Sequence, residues 1–207
     1  MFYNPKAKDH GLRHDPLKSL VIPRPIGWIS TISPKGIPNL APYSHYNIVS
    51  INPPAVMFSA GSLTRDDPRK DSHRNAEDTG DFVVNVVTYD LRNEMNLSSA
   101  EVDSNVNEAA ITGLELIPSR IVRAPRVAAS PIHLECKHLM TVVLPCVAPG
   151  EPRNSIVIGE IVGIHISDAV MTDGRVDVEK LRPVARLGYM DYAVIDKIFT
   201  MPRPTVD

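Results

Sequence analysis

The hydrophobic positions of this chain fall in short runs rich in Val, Ile, Thr and aromatic residues, with polar residues and prolines between them. Such runs are typical of β-strands, and the 19 prolines are spread along the chain as turn markers. The pattern predicts strands over Pro25–Ile32, Asn39–Val49, Ala55–Ala60, Asp81–Val87, His133–Leu144, Ser155–Ser167 and Tyr192–Asp196. The chain is therefore expected to be mainly β.

The turn and helix signals indicate how these strands are connected. Ser33-Pro34-Lys35-Gly36 suits a type I turn, so the first two strands are expected to be antiparallel neighbours. The predicted helices open at Asp15-Pro16 and run to Leu20, open at Asp67-Pro68 and run to Thr79 before Gly80, cover Asp90–Ala100, and open at a capping box, Asn105 to Glu108, before Gly113.

The organisation of the chain favours one domain over residues 1–207. The sequence has no internal repeat, no low-complexity tract and no shift in composition that marks a boundary. Short strands with turns between them and a few helices predict a closed or nearly closed antiparallel barrel with helical insertions.

Composition and charge argue against nucleic-acid-binding, secreted and membrane-spanning proteins. Lys and Arg (22) nearly balance Asp and Glu (24), and 43 % of residues are hydrophobic, which predicts a packed core and disfavours nucleic-acid binding. Met1–Leu20 is too charged for a signal peptide and no apolar run reaches about 20 residues, so a cytoplasmic protein without a membrane span is expected. Cys136 and Cys146 are expected to be buried thiols.

Candidate chemistry is concentrated between Arg24 and Asn85. The common nucleotide, hydrolase and metal motifs are absent, and the scattered histidines predict no metal site. The stretch instead brings hydroxyl, amide, aromatic and basic residues to strand ends and a helix start: Trp28, Ser30, Thr31, Asn39, Ala41, Pro42, Tyr43, Ser44, Ser59, Lys70, Asp71 and Ser72. These types suit an aromatic ligand that carries a phosphate.

Each of these residues also has a purely structural interpretation. Trp28 is by default a core residue, and the hydroxyls of Ser30 and Thr31 can pair with neighbouring backbone. Asp71-Ser72 can cap a helix, and Lys70 can be a solvated surface charge. The residues alone therefore indicate an antiparallel domain with a pocket for an anionic ligand.

The order of these segments resembles the flavin reductase-like family, whose fold is the FMN-binding split barrel. The resemblance is densest over Arg24–Asn85 and continues through Ile132–Cys136, Ile158–Val162 and Arg186–Tyr192. It implies a mainly β, antiparallel split barrel with helical insertions that forms a homodimer and holds FMN without a covalent bond. The last segment departs from the family's usual glycine pair, since Tyr189 follows Gly188.

The resemblance also implies roles for the candidate residues. Trp28, Ser30 and Thr31 match a strand that contacts FMN, Asn39 and Ala41 to Ser44 match an edge beside the ring and ribityl chain, Ser59 matches a strand-end hydroxyl, and Lys70, Asp71 and Ser72 match a Lys-Asp-Thr phosphate segment. No residue of the chain is expected to act as a catalytic acid, base or nucleophile, because flavin carries the chemistry.

The functions implied are an NAD(P)H-dependent flavin reductase, with an oxygenase or another electron acceptor as partner, or a flavoredoxin-like FMN electron carrier without NAD(P)H turnover. A non-redox ligand-binding module is a third hypothesis. Preference for NADPH would need a basic residue at the extra phosphate, and the candidates are Arg24, Arg69, Arg74 and Arg186.

Overall fold

The computed structural model describes residues 1–7, 9–61, 69–103, 107–145 and 153–205. Its strands are β1 (Arg24–Pro25), β2 (Gly27–Ile32), β3 (Pro38–Tyr43), β4 (Tyr46–Ile51), β5 (Pro54–Gly61), β6 (Asp81–Val86), β7 (Leu116–Ile117), β8 (Arg126–Val127), β9 (Ile132–Val143), β10 (Asn154–Ile166), β11 (Met171–Thr172), β12 (Arg175–Val176), β13 (Val184–Arg186) and β14 (Tyr192–Val194). The helices are α1 (Asp71–Thr79), α2 (Arg92–Leu97), α3 (Glu108–Thr112) and α4 (Val178–Leu181), with 3₁₀ turns at Leu17–Ser19, Tyr89–Leu91 and Asp168–Val170.

One antiparallel sheet of seven strands, in the order β3-β2-β6-β9-β10-β5-β4, dominates the fold. Its two edge strands, β3 and β4, follow each other in the chain and are joined by a bend at Ser44 and His45. The sheet curves so that these edges approach, and the His45 carbonyl accepts a 2.8 Å hydrogen bond from the Ser59 amide on β5. The result is a split antiparallel barrel with a seam beside β3, which confirms the predicted fold class.

Successive residues of β2 point to opposite faces of the sheet and enter two different cores. Ile29 lies in the barrel interior with Phe58 and Phe82, whose ring centroids are 5.3 Å apart. Trp28 lies in a cluster on the other face with Leu40, where α2 and α3 cover it. Helix α1 contacts β2, β3 and β6 and closes one end of the barrel. None of the described helices is long and apolar enough to cross a membrane.

The predicted strands are found with ends shifted by at most two residues, with two exceptions. The predicted strand Pro25–Ile32 is interrupted at Ile26, which separates β1 from β2. The prediction of one strand over Asn39–Val49 is wrong, because the chain bends at Ser44 and His45 and continues at the opposite edge of the sheet. The antiparallel pairing of the first two long strands is confirmed, with Gly36 donating to the Ser33 carbonyl in the turn.

The helix predictions are partly confirmed. Helix α1 ends at Gly80, which has the left-handed backbone (φ 80°) expected of it, but the predicted start at Asp67-Pro68 and the predicted cap Asn105 lie outside the described residues. The side chain of Asn107 caps α3 by accepting from the Ala109 amide. Strands β7, β8 and β11 to β13 and helix α4, each of four residues or fewer, were not predicted. Cys136 is buried as predicted, and Cys146 lies outside the described residues.

Candidate functional site

A cleft of about 650 Å³ opens at the seam of the barrel, and we call it the seam cleft. It lies between β3, the ends of β5 and β10, the start of α1 and the segment that follows α2. Eight of the twelve residues predicted to bind a ligand line it: Asn39, Ala41, Pro42, Tyr43, Ser59, Lys70, Asp71 and Ser72. The structure thus brings together residues from three separate segments of the sequence.

The start of α1 provides the polar end of the seam cleft. Lys70 is the N-cap residue and its side chain has no acceptor, so it cannot cap the N–H groups of the first helical turn. These groups have no partner within the helix and carry the positive end of the helix dipole. Asp71 is the one acidic residue of this turn, and its carboxylate is paired with the Arg74 guanidinium. The helix start is therefore suited to an anion.

A buried hydrogen-bond network fixes α1 against the edge of the sheet. The Ser72 hydroxyl donates to Asn39 Oδ1 at 2.7 Å, and Thr31 Oγ1 lies 3.4 Å from the same oxygen. The Asn75 amide donates to Thr31 Oγ1 at 3.1 Å. Thr31 is fully buried and reaches the seam cleft only through Asn39. Its predicted contact with a ligand stays a prediction.

Trp28 and Ser30 lie on the other face of β2 from Thr31. Trp28 is fully buried, and its indole N–H donates to Ser98 Oγ at 2.9 Å, while Ser98 lines the seam cleft. The Ser30 hydroxyl donates to the Pro125 carbonyl and accepts from the Asn85 amide. Neither Trp28 nor Ser30 lines the seam cleft, and their direct contact with a ligand stays a prediction.

Ser44 occupies the bend between β3 and β4 and is half-buried, next to the seam cleft but outside its lining. The side-chain amides of Asn75 and Asn85 form hydrogen bonds between elements of the fold. Asn85 also donates to the Trp28 carbonyl and accepts from the Val127 amide. These two amides therefore join β2 to α1 and to β8, respectively.

Nine residues that line the seam cleft were not among the predicted cofactor-binding residues, namely Lys18, His45, Gly61, Ser98, Ser99, Ala100, Glu101, Val102 and Asn154. Lys18 belongs to a turn that buried Arg24 holds by donating to the Lys18 and Val21 carbonyls. Lys18 could be recognised as a residue of the seam cleft only from its position next to the strands. That position depends on contacts between residues distant in the sequence.

His45 contributes little positive charge to the seam cleft. Burial lowers the pKa of its imidazole, and the positive charges of Arg24 and Lys18 lower this pKa further. At neutral pH His45 is therefore neutral, and the cations in the lining are Lys18 and Lys70. The lining also contains two carboxylates, those of Glu101 and the paired Asp71.

These features define a class of protein: a split β-barrel with a cleft for a flat ligand that carries a phosphate. The cleft has the volume of a cofactor site, an apolar wall at Ala41, Pro42 and Tyr43, and the N–H groups of a helix start beside Lys70. The chain belongs to the flavin reductase-like family, whose domain, described as flavin reductase like, matches residues 19–182. The residues present fit FMN in size and in donor chemistry.

Relatives and solved structures agree with this membership. An uncharacterized protein of Halalkalibacterium halodurans is 36 % identical over 207 residues, which cover 100 % of this chain and 98 % of the relative. Nitrilotriacetate monooxygenase component B from Bacillus cereus has a TM-score of 0.87 at 29 % identity, covering 97 % of this chain and 98 % of that chain. The 2-nitrobenzoate 2-nitroreductase NbaA of Pseudomonas fluorescens has a TM-score of 0.83 at 26 % identity, covering 99 % of this chain and 97 % of that chain.

Proposed function

We propose that this protein is an oxidoreductase, an NAD(P)H-dependent flavin reductase that binds FMN non-covalently in the seam cleft. What supports the proposal most directly is the position of Lys70 and the start of α1 at one end of a cleft whose wall is Ala41, Pro42 and Tyr43. Membership of the flavin reductase-like family makes flavin the planar phosphate ligand to test first.

In this proposal the two ends of the cleft hold different parts of FMN. The Lys70 ammonium and the first N–H groups of α1 hold the phosphate. Ala41, Pro42 and Tyr43 of β3 border the ring, and Ser59 offers a hydroxyl to the chain between ring and phosphate. When bound, FMN supplies the electron and hydride transfer chemistry.

The backbone of β3 supports the reduced form of the ring. Because β3 is an edge strand, every second residue directs its backbone groups away from β2 and toward the open side of the sheet. Backbone N–H groups of the Ala41 to Ser44 segment aimed at the ring edge would stabilise negative charge there. A neutral His45 adds no positive charge to this environment.

We also propose that the whole chain is one FMN-binding domain that works as a homodimer and passes electrons to a separate oxygenase. The exposed apolar side chains of Met140, Val142, Val143 and Ile164 on the long β9–β10 hairpin suit a second copy of the chain. Light scattering should give twice the chain mass, and a charge at Val143 should reduce it to the monomer mass. The similarity to a monooxygenase component supports the choice of partner.

The visible spectrum of freshly purified protein tests the function. The proposal expects a flavin spectrum that NADH or NADPH bleaches under anaerobic conditions, and oxidation of the nucleotide that increases with added FMN. Bound flavin without oxidation of either nucleotide would instead identify a flavoredoxin-like electron carrier. Colourless protein that takes up no FMN would leave a non-redox binding module.

A further inference from the structure

A second cleft of about 570 Å³ lies beside α2, between this helix and strands β13 and β14. We call it the arginine cleft, because Arg92 and Arg186 are the charged residues of its lining. Tyr89, Val184 and Tyr192 provide aromatic and apolar surface, and Asn93 and Asn96 provide amides. The proposed FMN site uses none of these residues.

The guanidinium groups of this cleft are held by aromatic rings and carbonyls. Arg92 Cζ lies 3.9 Å from the centroid of the Tyr89 ring, and its Nη1 donates to the Tyr89 carbonyl at 2.7 Å. Arg186 Cζ lies 4.3 Å from the Tyr192 centroid, and its Nη2 donates to the Tyr189 carbonyl. These contacts fix the planar groups in orientation and leave their charge uncompensated.

No carboxylate of the described residues lies within ion-pair distance of Arg92 or Arg186, and none lines the arginine cleft. Arg182 adds a third positive charge nearby, with its Cζ 4.6 Å from the Tyr89 centroid. A cleft with several cations, stacking surfaces and no acid attracts an anion that also has a flat ring.

The other arginines considered for the 2′-phosphate of NADPH already have partners within the protein. Arg24 is buried and donates to backbone carbonyls, including that of Leu187 at 2.7 Å. Arg69 pairs with Glu77 at 2.8 Å, and Arg74 pairs with Asp71. Of the four arginines considered from the sequence, Arg186 alone lines a cleft without a carboxylate partner among the described residues.

We infer that the arginine cleft binds an adenosine phosphate, with Arg92 and Arg186 on the phosphate and Tyr192 against the base. The source that we assign, which rests on the proposed function, is the adenosine 2′-phosphate end of NADPH. The six residues of α2 rise about 9 Å, and Ser98, directly after this helix, lines the seam cleft. The two clefts are therefore neighbours that one dinucleotide can reach together.

Calorimetric titration of the purified protein with 2′,5′-ADP tests the site without needing redox turnover. We expect saturable binding that Arg186→Gln and Arg92→Gln each weaken about tenfold or more, since each removes charged hydrogen bonds to phosphate. Arg175→Gln, an exposed arginine on β12, is the matched control and should bind as the parent does. Because Arg186 also holds the Tyr189 turn, melting temperatures verify folding, and Arg92→Gln provides the independent variant.

The source of the nucleotide is tested by a second set of measurements. We expect the parent to prefer NADPH to NADH in kcat/KM, and Arg186→Gln to lose that preference. Tight binding of 2′,5′-ADP or 5′-AMP with equal use of the two donors would overturn the assignment to NADPH and indicate free nucleotide. Absence of binding up to millimolar 2′,5′-ADP, or unchanged affinity in both variants, would overturn the site itself. Separate titration with FMN reports on the proposed function independently.

Discussion

Ser72 Oγ donates a 2.7 Å hydrogen bond to Asn39 Oδ1 and so connects the first turn of α1 to the edge strand β3. Both residues are buried and both line the seam cleft. Within the network that holds α1 on the sheet, this contact is the direct side-chain link between the cleft's phosphate end and its ring wall, and it joins residues 33 positions apart. This contact provides a test of how the site is held.

Ser72→Ala should lower both the stability of the protein and its affinity for FMN. The change removes the shorter of the two hydrogen bonds to Asn39 Oδ1, and loss of one buried hydrogen bond costs about 1 kcal/mol. Urea unfolding measures the first effect, and quenching of FMN fluorescence measures the second. Ser72→Thr keeps the hydroxyl and should restore FMN affinity; equal affinity in Ser72→Ala and the parent would contradict the positioning role.

Lys70→Ala should weaken FMN binding about tenfold or more, because it removes the cation at the start of α1 while the helix itself remains. The loss should shrink at high salt, since a partly exposed charge is screened. Titration of the apoprotein with FMN at two ionic strengths provides the measurement. Lys35→Ala, in the exposed turn before β3, is the control; an unchanged dissociation constant in Lys70→Ala would remove Lys70 from the site.

The barrel and much of the seam cleft could be predicted from the sequence because the signals are local. Prolines, β-branched runs and the positions of Gly36 and Gly80 fix turns and strand ends within a few residues. The split between β3 and β4 could not be predicted, since Ser44 and His45 interrupt no hydrophobic pattern and the break depends on which edge of the sheet each strand joins.

The same distinction applies to the site. Lys70 and Ser72 are placed by a helix start that the sequence encodes, so they could be identified. Lys18 and Ser98 reach the cleft through contacts with Arg24 and Trp28, which are distant along the chain. The resemblance implies that Trp28 contacts the cofactor. In the structure Trp28 lies in the core and its indole N–H donates to Ser98, which lines the cleft.

Glu135 should make stability depend on acid pH. It is fully buried; burial alone would raise the pKa of its carboxyl, but backbone N–H donors from Arg120, Ile121 and Val122 and the His165 imidazole outweigh burial and lower this pKa to about 2. Because the folded-state pKa lies below the unfolded value, the stabilisation is fully present above pH 4.5 and is lost as pH falls toward 2.

Unfolding of Glu135→Gln between pH 2 and 7 tests this dependence. The variant should be less stable by about 3 kcal/mol at neutral pH and should lose less stability than the parent as the pH falls. Glu115→Gln, at an exposed position, should behave as the parent does. Parallel pH profiles for Glu135→Gln and the parent would show that this carboxylate is not responsible for the acid sensitivity.

Gly27 allows the far edge of the barrel to approach β2. A Cβ at this position would lie 2.7 Å from Cγ and Cδ2 of Tyr46, the first residue of β4. The Cγ atom is close to the backbone, so the ring cannot swing away without moving β4. Gly27→Ala should therefore destabilise the protein by about 1–3 kcal/mol and, by shifting the seam, weaken FMN binding as well.

Gly163→Ala gives the matched comparison, because its Cβ would meet Ile121 Cδ1 at 3.1 Å, the end of a flexible side chain that can turn aside. Urea midpoints of the two variants should differ, with Gly27→Ala the lower, and FMN affinity should fall only in Gly27→Ala. Equal midpoints would mean that β4 can move away from β2 without loss of stability. The geometry of the cleft would then not depend on the close contact between Gly27 and Tyr46, and the hydrogen bond between Asn39 and Ser72 would have to maintain it.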